Sequence, residues 1–352
     1  GGGDPPPNNL PNNHTTVLNW AKFPDGRRWG STAGIDVAPD GSIWAYDRCG
    51  ANSCVDSDLD PILHLDTSGR LLGSFGAGIV IAMTFLAIFA ESLTVYDPVL
   101  NDFEVMLTAP GDKFFFGTDQ FGRDVLTRII YGSRTALFVG LTAAMAAAMI
   151  GTTIGVMAGY FGGRLDAFLM RFTDGVIALP LLPLLIVLAA LDLGKLGLPD
   201  ALVTSENVSL YRIIVIVALV GWTTVARLVR GTALSLRERQ FVLAAEAQGA
   251  SALRIMTVHI LPNLASPIIV ATTLSVGNVI LLESVLSFLG LGIQPPIPSW
   301  GNLLTNAQEL IFEAPSLAFY PGVLIFVTVI AFNFLGDGLQ DALDPRATER
   351  RG

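Results

Sequence analysis

Three sets of residues in this chain have the types and spacing to do chemistry. Asp119, Arg123 and Asp124 fall within Phe116-Gly117-Thr118-Asp119-Gln120-Phe121-Gly122-Arg123-Asp124. Two carboxylates and a guanidinium this close can form a compact charge network, and Gly117 and Gly122 permit the tight turns around it. Glu283 stands in an apolar run just ahead of Ser284-Val285-Leu286-Ser287. An acid near a membrane core is costly and is a functional candidate by default, either on a translocation path or hydrogen-bonded between helices. The third set, Leu243, Ala244, Ala245, Glu246, Gly249, Leu261 and Pro262, holds no catalytic group. Its small side chains and turn-permitting glycine suit a short helix that seats in a groove of a soluble partner.

Bond-breaking chemistry finds little support. The three histidines, His14, His64 and His259, fall in unrelated segments, so no Ser/His/Asp set is credible. No Gly-x-x-x-x-Gly-Lys-Ser/Thr occurs: Gly194-Lys195 is followed by Leu196. The chain should therefore not hydrolyse ATP itself. Cys49 and Cys54 are the only cysteines. They could close a small disulfide loop in an exported segment, but they lack a second Cys/His pair at zinc spacing, and no metal site is expected.

The elements that must position these groups are apolar. The 352 residues are 51% hydrophobic and 14% charged, too greasy for an ordinary soluble domain. Charge is absent from Thr135 to Gly163 and again from Leu264 to Leu282. Shorter or flanked apolar blocks lie at Gly76–Ala90, Gly175–Leu191, Ile213–Val225 and Gly322–Leu335. Blocks of this kind cross about 30 Å of hydrocarbon at roughly 1.5 Å per residue, so six transmembrane helices are predicted. Pro180 and Pro183 interrupt the third, as a static kink or as a bend used in gating. Arg171 and Asp174 are spaced for an ion pair on one helix face.

Loop charges suggest an orientation. If the chain enters its first span from the cytoplasm, the inner segments hold Arg164, Arg171, Arg227, Arg230, Arg237, Arg239, Arg254, Arg346, Arg350 and Arg351. The opposite side holds Lys113, Arg123, Arg128, Arg134, Lys195 and Arg212. That bias places both termini inside. The net charge of −9 comes from acids in the first 75 positions and in loops, and no basic tract suggests nucleic acid.

Residues 1–75 differ in character from 76–352. Gly1–Asn13 is Gly/Pro/Asn-rich and reads as a disordered tail. Short strand-like runs follow, broken by Pro39-Asp40-Gly41 and Asp66-Thr67-Ser68-Gly69. With Asp40-Gly41-Ser42-Ile43-Trp44 and Asp47-Arg48, the stretch from Gly34 to Gly76 resembles one blade of an NHL-type β-propeller. A single blade cannot bury its own faces, and the first residue is Gly rather than Met. The pattern suggests a truncated or fused reading frame.

The remaining motifs carry a second resemblance. The Gly117-Thr118-Asp119…Gly122-Arg123-Asp124 stretch, the run Gln294-Pro295-Pro296-Ile297-Pro298-Ser299-Trp300-Gly301-Asn302 and the end Asn333-Phe334-Leu335-Gly336-Asp337…Asp344-Pro345-Arg346 resemble the permease subunits of dipeptide, oligopeptide and nickel ABC importers, C-type subunit. The likeness spans about 76–346. The family pattern Glu-Ala-Ala, three residues, Gly, nine residues, Ile-x-Leu-Pro aligns on Gly249 and Leu261-Pro262. Ala244 and Ala245 match it, Leu243 replaces the acid with Glu246 three residues on, and His259 replaces the Ile.

That resemblance implies an all-α membrane protein of the type I importer fold in a bacterial inner membrane. Its cytoplasmic segment 231–262 would be the coupling element. Partners would be a homologous permease subunit, two ATPase subunits and an extracytoplasmic solute-binding protein, with ATP and Mg used by the ATPases and no cofactor bound by this chain. Two other classes compete: a membrane-anchored remnant of a propeller-type lyase, and an ion-coupled secondary transporter, which would want acids on several spans.

Overall fold

A computed structural model describes residues 32–37, 43–47, 62–65 and 71–73, and residues 76–343 apart from 192, 198, 200–202, 206, 306 and 308. The expected tail, Cys49, Cys54 and the Asp344-Pro345-Arg346 end of the last motif lie outside the described residues. The chain divides into two units, essentially Gly1–Ser74 and Phe75–Arg350.

In the first unit, β1 (Thr32–Val37), β2 (Ile43–Asp47), β3 (Ile62–Leu65) and β4 (Leu71–Gly73) form one antiparallel sheet in the order β1-β2-β3-β4. Trp44 stands opposite Asp36 on one side and His64 on the other.

The second unit is helical: α1 (Gly76–Ile88), α2 (Ala90–Leu93), α3 (Val125–Phe161), α4 (Gly163–Ala178), α5 (Leu181–Ala189), α6 (Val208–Arg237), α7 (Gln240–Ala247), α8 (Ala252–Arg254), α9 (Ala265–Phe288), α10 (Trp300–Leu304) and α11 (Ser316–Leu343). Among the described residues, four stretches are long and apolar enough to cross a membrane: Val125–Phe161, Val208–Arg237, Ala252–Phe288 and Ser316–Gln340. α4 and α5 together pass the same test but are bent by 84°. The bend falls at Leu179-Pro180, because proline removes a helical donor and forbids the helical conformation before it. α1 has 13 residues, roughly 20 Å, which is less than a full span. The six expected spans thus resolve into four long helices, one bent pair and one short apolar helix.

Outward faces are apolar. On α3, Phe138, Leu141, Met145 and Met149 form an exposed stripe, whereas Val139, Ala143 and Ala147 are buried. An apolar exterior at helical spacing is what a lipid solvent selects.

Close backbone approach holds the bundle together. Gly151, Gly155 and Gly159 repeat every fourth residue on α3 and face α6. A Cβ at Gly151 would meet the Trp222 carbonyl oxygen at 2.5 Å, one at Gly155 the Ala226 carbonyl oxygen at 2.6 Å, and one at Gly159 the Ala233 Cβ at 2.6 Å. Small residues at this spacing let membrane helices pack by van der Waals contact and lipid release, since no hydrophobic force acts between them in lipid. Gly277 on α9 packs less tightly against α11, where a Cβ would meet the Val329 carbonyl oxygen at 3.3 Å and the Phe332 Cβ at 3.5 Å.

Candidate functional site

The segment before α3 folds back on itself. Gly117 (φ +78°) and Gly122 (φ +72°) occupy left-handed turns, and a Cβ on Gly117 would meet the Thr108 carbonyl oxygen at 2.5 Å. Asp119 is buried at the centre of this clasp. Its Oδ1 accepts the backbone N–H groups of Phe121 (2.9 Å) and Arg123 (3.0 Å), and its Oδ2 accepts Arg123 Nε at 2.8 Å. Asp124 does not join the charge network. Its Oδ2 accepts the Thr127 N–H at 2.7 Å and so caps α3. Aspartate suits that position because it satisfies an orphan helix donor.

Arg128 takes the place expected for Asp124, and it is the residue that inspection of the motif missed. It is buried, with Nε 3.6 Å from Asp119 Oδ2. One terminal nitrogen donates to the Pro98 carbonyl at 2.9 Å and the other to Asn302 Oδ1 at 3.2 Å. Asn302 and Ser299 form a capping box on α10, and Trp300 donates its indole N–H to the Ile129 carbonyl at 3.0 Å. Gly301 sits against the backbone of Ser284 on α9. The clasp therefore ties α3, α9 and α10 together.

Glu283 belongs to the same hub. Ser287 Oγ donates to its Oε1 at 2.6 Å, and Ser284 Oγ lies 3.4 Å from Oε2. Glu283 is buried, and it does not line the cavity of about 570 Å³ that Ala144, Arg227 and Asn278 border. The geometry is that of a buried acid held by two serines of its own helix. The two serines at positions one and four residues on were the available sequence signal.

At the far end of α3 lies the segment 240–262. α7 ends in a Schellman motif: the Gly249 N–H bonds the Glu246 carbonyl at 2.9 Å and the Ala250 N–H bonds the Ala245 carbonyl at 3.1 Å. Gly249 adopts φ +82°, which glycine allows without a Cβ penalty. Ser251 then caps α8, and the chain runs through a π turn at Ile255–Ile260 and a 3-10 turn at Leu261–Leu264, with Pro262 in its first turn, into α9.

Burial splits this segment in two. Val242 and Ala245 face inward onto Ile255, Ile260, Leu264 and the α6 residues Val229 and Ala233. Phe241, Leu243, Ala244, Glu246, Gly249, Leu253, Leu261 and Pro262 are exposed. Ala245, expected to face a partner together with Ala244, instead packs into the chain's own core. It is one helical step past Ala244 and so points to the other face.

Two ion pairs tie α4 to α6. Asp166 takes a forked pair from Arg230, with distances of 2.5 and 2.6 Å, and Asp174 accepts from Arg227 at 2.6 Å. The Arg171–Asp174 spacing had suggested a pair within one helix; α6 supplies the partner for Asp174 instead. Arg227 also borders a cavity of about 570 Å³ among α3, α4, α5, α6 and α9.

The family of binding-protein-dependent transport system inner membrane components matches residues 151–349. The dipeptide transport system permease protein DppC of Alkalihalophilus pseudofirmus is 41% identical over 275 residues, 78% of this chain and 86% of that protein. The oligopeptide transport system permease protein OppC of Bacillus subtilis is 36% identical over 275 residues, 78% and 86% of the two chains. The glutathione transport system permease protein GsiD of Salmonella typhimurium is 41% identical over 270 residues, 76% and 84%. Among solved structures, an inward-facing form of the MetNI methionine ABC transporter gives a TM-score of 0.49 at 18% identity, covering 62% of this chain and 96% of that one. The chain belongs to the family of inner membrane components of binding-protein-dependent transport systems. It is a multi-pass permease subunit of an ABC importer and not itself an enzyme; ATP hydrolysis resides in a separate subunit.

Proposed function

From that membership we infer that the solutes are short peptides, glutathione among them. The observation that carries this reading is 36–41% identity, over three quarters of the chain, to permeases named for dipeptides, oligopeptides and glutathione. The chain pairs with a homologous permease subunit, and two ATPase subunits and an extracytoplasmic solute-binding protein complete the importer. ATP and Mg act in the ATPases, and this chain binds no cofactor or metal.

Segment 231–262 is the coupling element. What supports this is the exposed half of the segment: Ala244, Glu246 and Gly249 on a short helix closed by a left-handed glycine, with Leu243, Leu261 and Pro262 at its rim. Six membrane crossings, with α1 the first and the bent α4–α5 pair the third, put both termini in the cytoplasm. The sheet in residues 32–73 is an NHL-type blade, supported by its four antiparallel strands and by Asp40-Gly41-Ser42-Ile43-Trp44.

The test is uptake of labelled dialanine by a bacterium deleted for its peptide importers and supplied with this chain and its neighbouring ATPase and binding-protein genes. Uptake that depends on this chain is expected. Uptake of sugars or metal ions with no peptide uptake would overturn the peptide assignment while leaving the permease standing.

A further inference from the structure

The cavity bordered by Arg227 lies midway along the long helices, beside the bend between α4 and α5. Its volume of about 570 Å³ is ample for a small ligand. α6 contributes Thr224 and Arg227 to its wall, and α9 contributes Ser275 and Asn278. Each pair is three residues apart, so each helix turns two polar side chains onto one face, toward the same space. The rest of the lining is largely aliphatic.

The polar groups there are not consumed by the chain. Asn278 and Thr224 are exposed, and their side-chain polar atoms have no hydrogen-bond partner among the described residues. An unpaired amide at mid-helix is unfavourable against hydrocarbon, so the space it faces needs a polar occupant. Ser275 donates to the Ala271 carbonyl at 2.7 Å and keeps its oxygen free to accept. Arg227 holds Asp174 at 2.6 Å, but the two side chains are 50% and 59% exposed. The pair is not enclosed by the chain, so another carboxylate can reach Arg227 in place of Asp174.

We propose that this cavity is a solute station within the permease. Arg227 receives the C-terminal carboxylate of a short peptide, displacing Asp174, and Asn278 and Thr224 hydrogen-bond its amide groups. A planar guanidinium is matched to a carboxylate in two-point geometry, and unpaired amide and hydroxyl groups complement a peptide bond. Ala144 and Ala147 keep the α3 wall low, leaving room for side chains of different size.

The proposal rests on the peptide-import reading and has its own test. The complete importer, reconstituted in proteoliposomes with saturating binding protein, is assayed for dialanine moved per ATP hydrolysed. The double variant Asp174→Asn with Arg227→Gln removes the ion pair without leaving a lone charge. Its transport ratio is expected to fall at least tenfold, and that of Asn278→Ala severalfold. Ratios equal to wild type in both would overturn the station, with wild-type dialanine import leaving the peptide reading intact. No dialanine import by the wild type would remove both. Should the variants fail to assemble, the wild-type complex in nanodiscs decides: it is titrated with dialanine and with dialanine amide. At least tenfold tighter binding of the free carboxylate is expected, and equal affinity or no saturable binding would overturn the proposal.

Discussion

The two ends of α3 bear the chain's densest motifs, and they use their polar groups in opposite ways. At the amino end, the carboxylate of Asp119, the guanidinium of Arg128 and the amide of Asn302 are turned on one another and on nearby carbonyls. At the carboxyl end, segment 240–262 buries Val242 and Ala245 and leaves Leu243, Ala244, Glu246 and Gly249 facing outward with open space around the glycine. Motif density alone does not separate a clasp from a dock. What separates them is whether the side chains are satisfied within the chain.

The largest expected effect is at the clasp. Arg128→Ala leaves the buried Asp119 with one guanidinium instead of two, and frees the Pro98 carbonyl and Asn302 from their shared donor. A loss of about 3–5 kcal/mol is expected for breaking such a buried arrangement. Thermal unfolding in detergent should show a large drop in Tm; an unchanged Tm would put the clasp on a par with the loop.

Adjacent alanines in α7 sharpen the contrast within the loop itself. Ala245→Asp places a carboxylate among Val242, Ile255 and Ile260 and should destabilise by about 3 kcal/mol. Ala244→Asp should leave stability within about 0.5 kcal/mol and instead reduce co-purification of the ATPase subunit. Equal behaviour of the two in both assays would dissolve the division between inner and outer halves.

Gly249→Trp comes next, since a non-glycine residue at φ +82° costs roughly 1–2 kcal/mol locally. Membrane abundance should stay near normal while binding-protein-stimulated ATP hydrolysis and ATPase retention fall. Wild-type retention would move the docking site elsewhere. The smallest effect is expected from deleting residues 1–75. Uptake by the shortened chain should match the full one; loss of uptake at normal membrane levels would give that segment a role in transport.

Much of the helical plan is legible from charge-free blocks, since lipid tolerates little else. The limits of those blocks mislead where a charge is paired inside a helix. The apolar block begins at Thr135, yet α3 begins at Val125, because Arg134 reaches the Ala87 carbonyl and Glu91, and Arg128 reaches Asn302. Partners so distant in sequence leave no local trace. The bend at Pro180 and the glycine turns at 117, 122 and 249 could be read because one residue type sets each backbone conformation. The Gly151-x-x-x-Gly155-x-x-x-Gly159 spacing was equally local and equally readable, and it names the helix face that meets α6.

That glycine row has a mechanical consequence. Where two helices touch through long side chains, rotamer changes can absorb a displacement. Here α3 and α6 meet backbone to backbone, with carbonyls of one helix under the glycines of the other, and close-packed contacts of this sort have little give. Over the stretch from Gly151 to Gly159, roughly 12 Å along the axis, the pair acts as one stiff unit, so a push on the segment that follows Arg237 is borne by α6 and by the carboxyl-terminal part of α3 together.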